Sequence, residues 1–138
     1  MMPHINRVLE TALYVDDLDR AMKFYHDVLG LRVVDAGPRL VAMDAGQATL
    51  LLLFLRGATA GGAHTPSGWI PPHDGAGPIH LAFAVGADEI VEWEQHLAAR
   101  GVVVESRKSW ESGGRSIYFR DSEGHSVELA TPGTWPTY

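Results

Sequence analysis

The stretch LYVDDLDRAMKFYHDVLG, residues 13–30, has a counterpart later in the chain, AFAVGADEIVEWEQHLAARG, residues 82–101. Val15 lies on Val85, and after one inserted residue Gly30 lies on Gly101. Each copy runs from β-forming residues into an amphipathic helix and stops at a glycine, the residue suited to the left-handed conformation that ends a helix. In the first copy Asp16 or Asp17 supplies the N-cap. Leu18, Ala21, Met22, Tyr25, Val28 and Leu29 then recur at helical spacing, while Asp19, Arg20, Lys23 and Asp27 face water. In the second copy Ile90, Trp93 and Leu97, with Val91 and Ala98, form the apolar face. An internal repeat of this size describes architecture.

Working outward, each helix is preceded by one strand-like run and followed by three. The first set is VLETALYV (8–15), LRVVDA (31–36), RLVAMDAG (39–46) and QATLLLLFL (47–55). The second is HLAFAV (80–85), VVVESR (102–107), RSIYFRD (115–121) and HSVELAT (125–131). The plan is therefore α+β: two βαβββ modules, each a curved mixed sheet with its helix on the outside. One domain covers 1–138, with module 1 at about 6–56, module 2 at about 79–131 and a tail at 132–138. The glycine- and proline-rich run at 57–78 fits no packed element and reads as an irregular connection or lid.

Composition bounds the function. The chain has 138 residues, a net charge of −6 and no cysteine. An acidic balance argues against nucleic acid as partner. Absence of cysteine excludes disulfides, thiolate metal sites and a cysteine nucleophile. The N-terminus lacks an apolar signal core, and no apolar run approaches the roughly 18–20 residues that span a bilayer. The expectation is a cytoplasmic protein with no membrane partner.

The repeat also sorts the chemistry-bearing residues. Glu10 lies five residues before Val15, and His80 five residues before Val85, so they hold equivalent strand positions. Alternation places Ala12 and Tyr14 on the face of Glu10, and Ala82 and Ala84 on that of His80. Leu9, Leu13 and Val15, with Leu81, Phe83 and Val85, go to the helix side. Glu128 is a lone acid in the last apolar strand; counted from Gly124 and Gly46, its repeat mate is near Leu50, a residue that cannot ligate. Glu10, His80 and Glu128 are thus candidate metal ligands, and the two glutamates candidate catalytic carboxylates. One nitrogen and two carboxylates suit Mn²⁺, Fe²⁺, Co²⁺, Ni²⁺ or Zn²⁺. Tyr14, His73, Ser116 and Tyr118 are candidate substrate-binding groups. Trp69 and Trp110 are candidate apolar walls, and His4, His26, His64, His96 and His125 read as surface residues.

The stretches VDDLDRAMKFYHDVLGL, IHLAFAV and YFRDSEGHSVEL resemble the vicinal oxygen chelate superfamily of glyoxalases, extradiol dioxygenases, fosfomycin-resistance transferases and bleomycin-resistance proteins. The resemblance covers nearly the whole chain. It implies ligands from the first strand of each half and the last strand of the second, here Glu10, His80 and Glu128, although the family often has histidine at the place of Glu10. It also implies one divalent metal per site, acting as a Lewis acid on a small-molecule substrate in lyase or isomerase chemistry. Glyoxalase I uses a fourth ligand in the first half, where this chain has Leu50 or Leu51. Extradiol dioxygenases pair two histidines with one glutamate, unlike the set here. Lys108, Ser112, Ser116 and Tyr118 fall at spacings similar to those of the fosfomycin transferases. The rival reading is a metal-free, ligand-sequestering protein like those of bleomycin resistance. A homodimer is expected, with halves paired within one chain or across a swapped pair.

Overall fold

The computed structural model describes residues 1–138, and the chain forms two compact units, Met1–Ala76 and Gly77–Tyr138. The first is built as β1 (Glu10–Val15), α1 (Leu18–Asp27), β2 (Arg32–Ala36), β3 (Leu40–Asp44) and β4 (Leu50–Leu55), followed by a hairpin of β5 (Ala63–Thr65) and β6 (Gly68–Ile70). The second comprises β7 (His80–Ala84), α2 (Ile90–Ala99), β8 (Ser106–Ser109), β9 (Arg115–Arg120) and β10 (Ser126–Ala130). The sheets have the orders β1-β4-β3-β2 and β7-β10-β9-β8, each with its first and last strands parallel and the other pairs antiparallel. This is the expected pair of βαβββ modules. No helix is long and apolar enough to cross a membrane.

In the first unit Asp17 caps α1, its carboxylate accepting from the Arg20 amide at 3.0 Å. Leu13, Val15, Ala21, Tyr25, Met43, Leu51 and Leu53 are almost wholly buried between helix and sheet. Truncating one of these leucines to alanine costs about 2–5 kcal/mol. In the second unit Ile90, Leu97, Ile117, Phe119, Val127 and Leu129 form the corresponding core. Gly30 (φ +73°) and Gly101 (φ +72°) both end their helices in the left-handed region.

Four local expectations change. Val91 and Ala98 are exposed, so the apolar face of α2 narrows to Ile90, Trp93 and Leu97. Leu9 precedes β1 and is exposed rather than under the helix. β8 starts only at Ser106, because Val102 donates to the Leu97 carbonyl and still belongs to the helix exit. The 57–78 run contains the β5–β6 hairpin, in which Thr65 Oγ1 donates to the Gly68 carbonyl and His64 stacks on Trp69. A Cβ on Gly62 would lie 2.6 Å from both the Trp69 ring and the Ile70 carbonyl, so the glycine permits the close approach.

Candidate functional site

In the second unit β10 lies between β7 and β9, with Glu128 opposite Ala82 on one side and Tyr118 on the other. Glu128 is only 6% exposed. A buried carboxylate needs partners, and Ser116, His80 and the Tyr118 hydroxyl supply them. The Ser116 hydroxyl donates to Oε2 at 2.5 Å, and the same Ser116 oxygen accepts from the Trp110 indole N–H at 2.9 Å. On the other side Oε1 lies 3.2 Å from Nε2 of His80.

The second ring nitrogen of His80, Nδ1, is 3.1 Å from the Ser126 carbonyl, which can only accept, so Nδ1 carries a proton. In the neutral ring the Nε2 lone pair then faces a carboxylate oxygen. Two acceptors face each other favourably only with a cation between them, a ring proton or a metal ion. Bonds of about 2.1 Å from two ligands to one metal, meeting at roughly 100°, separate the ligand atoms by about 3.2 Å. The pair therefore fits a divalent cation. Tyr118 stands beside it, its ring 6.3 Å from that of His80. Burial first, then the Glu128 charge, raises its pKa above the usual tyrosine value.

In the first unit Glu10 begins β1 opposite Leu50 and lines a cavity of about 460 Å³ with Arg39, Leu40, Leu52, Phe54, Ile70 and His73 among its walls. Tyr14, on the same face of β1, stacks on Phe54 with centroids 5.9 Å apart. Its hydroxyl is 2.7 Å from Nδ1 of His73. Burial, and then the charge of Asp74, pushes the Tyr14 pKa up. His73 is also clamped through its backbone: Thr59 Oγ1 donates to its carbonyl at 2.6 Å, and its amide donates to the Thr59 carbonyl at 3.1 Å. The structure thus brings His80 and Glu128 together with Ser116 and Tyr118, and Tyr14 with His73. Glu10 belongs to the unit of the latter pair. Within neither unit do three His, Asp or Glu side chains gather as a ligand cluster.

Strand register corrects the repeat arithmetic. Glu10 pairs with Leu50 and Ala12 with Leu52, as His80 pairs with Ser126 and Ala82 with Glu128. The mate of Glu128 is therefore Leu52, not Leu50 or Leu51. The two turns have the same length, but Gly46 comes two residues earlier in its turn than Gly124 does. Ala48 (φ +60°) occupies the place of Gly124 (φ +85°), and it was the residue to count from. Leu52, like Leu50, cannot ligate.

Other residues take different places. His125 is buried, 1% exposed, and structural: its Nδ1 accepts from the Ile79 amide and its own amide donates to Asp121. The sequence suggested a surface turn because a histidine after DSEG carries no sign of burial. Trp69 covers the hairpin rather than the cavity, and His96 packs edge-on against Trp93. His4, His26 and His64 are exposed. Lys108 lies 5.1 Å above the Trp110 ring. The role of Trp110 as donor to Ser116 was not anticipated; its signal was the hairpin that pairs Lys108 with Ser116 and turns two residues beyond Lys108. Arg39 lies just before β3, at the place that Arg115 holds as the first residue of β9.

Residues 4–129 match the family model described as the Glyoxalase/Bleomycin resistance protein/Dioxygenase superfamily. A lactoylglutathione lyase from Agrobacterium tumefaciens has a solved structure similar to this one. Its TM-score is 0.87 at 36% identity, covering 96% of this chain and 98% of that one. A lactoylglutathione lyase from Haemophilus influenzae is 29% identical over 126 residues, 89% of this chain and 90% of its own. Glutathione transferase FosA from Serratia marcescens is 27% identical over 117 residues, 85% of this chain and 74% of its own.

Proposed function

The chain belongs to the Glyoxalase/Bleomycin resistance protein/Dioxygenase superfamily, and within it we propose a metal-dependent small-molecule enzyme whose cation is held by Glu10, His80 and Glu128. The observation that carries this reading is the His80–Glu128 pair, in which Nε2 of a ring whose Nδ1 donates to the Ser126 carbonyl lies 3.2 Å from a buried carboxylate oxygen. Similarity to lyases and a transferase supports an enzyme over a sequestering protein. Glu10 completes the set, from the same chain or from a second copy.

A divalent cation bound there supplies Lewis-acid polarisation of neighbouring oxygens on a small substrate. The protein's own groups do the rest. Ser116 and Trp110 pin Glu128 in one orientation. Glu10 is exposed and makes no hydrogen bond, so it is the carboxylate free to move a proton. Tyr118, held protonated and hydrogen-bonded to Glu128, stands beside the cation, and His73, held by Tyr14, lines the space for a substrate's body. Lyase or isomerase chemistry is the first reading. Leucine at position 52 stands where ordinary glyoxalase I has its fourth ligand, which argues against that enzyme's reaction. Group transfer is the second reading, favoured by Lys108 pairing with Ser116 beside Glu128.

The working form is a homodimer with an interface above roughly 1,000 Å². Light scattering should return about twice the 15.0 kDa chain mass; a monomer mass at micromolar concentration contradicts the dimer. Elemental analysis of protein purified without chelator tests the enzyme reading. About one divalent metal per chain supports it, and metal-free protein that also fails to take up added Mn²⁺, Ni²⁺ or Zn²⁺ overturns it.

A further inference from the structure

The cavity of the first unit has two chemically different ends. Glu10 sits against Leu50 at one end of β4. Arg39 sits against Leu55 at the other, its carbonyl accepting the Leu55 amide at 2.9 Å. Five residues of strand separate the two, about 16 Å. Tyr14, which pairs with Phe54, brings His73 to the Arg39 end. Between the ends the wall is apolar: Leu40, Leu52, Phe54, Ile70 and Pro71.

The Arg39 end offers donors and no competing acceptor. The Arg39 guanidinium makes no ion pair or hydrogen bond, whereas Arg56 in the same unit is engaged by Asp16, the Gly75 carbonyl and the Tyr14 carbonyl. Tyr14 stays a phenol, and the Thr59 hydroxyl proton is committed to the His73 carbonyl. Tyr14 donates in the short contact to Nδ1 in the tautomer that protonates Nε2. In that tautomer the Nε2–H has no protein partner and is not sealed from solvent. Asp74, the neighbouring carboxylate, is not part of the cavity wall and accepts from the Gly57 amide at 3.0 Å.

We infer that this cavity selects small molecules with a flat apolar body and a carboxylate, the body lying on Phe54 and Leu52 and the carboxylate meeting Arg39 and the Nε2–H of His73. A planar guanidinium matches a planar carboxylate in bidentate fashion, and Phe54 supplies an aromatic face. The assignment deepens the proposed function, resting on it only for the statement that the far end of the substrate reaches Glu10. Arg39 is the specificity-determining residue, and His73 is a binding residue for either head group.

The probes are 3-phenylpropionate and its neutral isostere 3-phenylpropionamide, titrated by calorimetry and ¹H–¹⁵N NMR into chelator-treated full-length protein. The acid should bind at least about fivefold tighter than the amide. Arg39→Gln, at an exposed and unpaired side chain, should erase that preference while leaving amide binding unchanged. His73→Phe should weaken both probes about threefold. Equal affinity of acid and amide, no binding of either, or an acid preference that survives Arg39→Gln would each overturn the inference. Metal content is scored on separate, untreated protein. A metal-free result there removes the enzyme reading and leaves acid selectivity standing, so the two failures are distinguishable.

Discussion

The two units share one topology and have opposite interiors on the face of Glu10 and His80. Register makes Tyr14 equivalent to Ala84, Phe54 to Ala130, Leu40 to Ser116, Ala42 to Tyr118 and Leu52 to Glu128. Where the first unit has aromatic and aliphatic bulk, the second has alanine beside a polar chain from Trp110 through Ser116 and Glu128 to His80. The first copy lines a cavity with apolar side chains, and the second gathers hydrogen-bonded polar ones. The cores beneath, on the helix side, keep the same apolar character in both. The side chains that diverge are those on the sheet faces turned away from the helices.

The sharpest way to break this comparison is to move the carboxylate across the repeat. Leu52→Glu places an acid at the equivalent of Glu128 but opposite Ala42, with Leu40 where Ser116 would donate. It should destabilise the protein by about 3 kcal/mol at neutral pH, read by urea denaturation. A smaller loss would mean that the first unit can accommodate a charge as the second does. Next in size, Ser116→Ala removes the donor that fixes Glu128. Divalent-metal affinity should fall about tenfold, with the Trp110 fluorescence altered because its indole loses its acceptor. Unchanged affinity would show that Glu128 needs no orientation.

Smaller effects belong to the linker. Tyr14→Phe deletes the hydrogen bond to His73 and should cost about 1 kcal/mol. In an ultraviolet alkaline titration it should also remove one of the tyrosines that ionise above the usual value. Because the folded pKa of Tyr14 is raised, its contribution is present below the ordinary tyrosine pKa of about 10 and is lost as pH rises through the folded value. Acid should act on the same segment in the opposite sense. The Gly57 and Gly75 amides hold Asp74 below its ordinary carboxylate value. Its contribution is therefore present above that value and disappears as pH falls through the lowered pKa. Faster amide exchange at Gly57 and Gly75 in the acid range checks this, and constant protection contradicts it.

The fold was legible because the repeat carried it. Helical spacing ending at Gly30 and Gly101 needs only local chemistry, and counting from Val15 and Val85 gives Glu10 and His80 the equivalent strand positions that the register has. What sequence could not supply was long-range pairing. The mate of Glu128 was misplaced by two residues because an alanine, Ala48, takes a left-handed conformation that glycine usually marks. The β5–β6 hairpin escaped notice because its stability comes from His64 on Trp69 and from contact at Gly62, none of which shows as periodicity. His125 escaped for a related reason, since its burial follows from an amide 46 residues away. Trp110 and Arg39 act through partners, or the lack of them, that only the folded chain defines.

The central claim is that His80 and Glu128 face each other to hold a divalent cation. Mn²⁺ titration followed by electron paramagnetic resonance, on wild type and on Glu128→Gln, tests it most directly. The glutamine keeps an oxygen that can accept from Ser116 and removes the charge, and circular dichroism verifies that the variant is folded. Wild type should saturate near one Mn²⁺ per chain, and Glu128→Gln should bind at least about a hundredfold more weakly. Equal binding by the two proteins, or no saturable binding by wild type, would contradict the account.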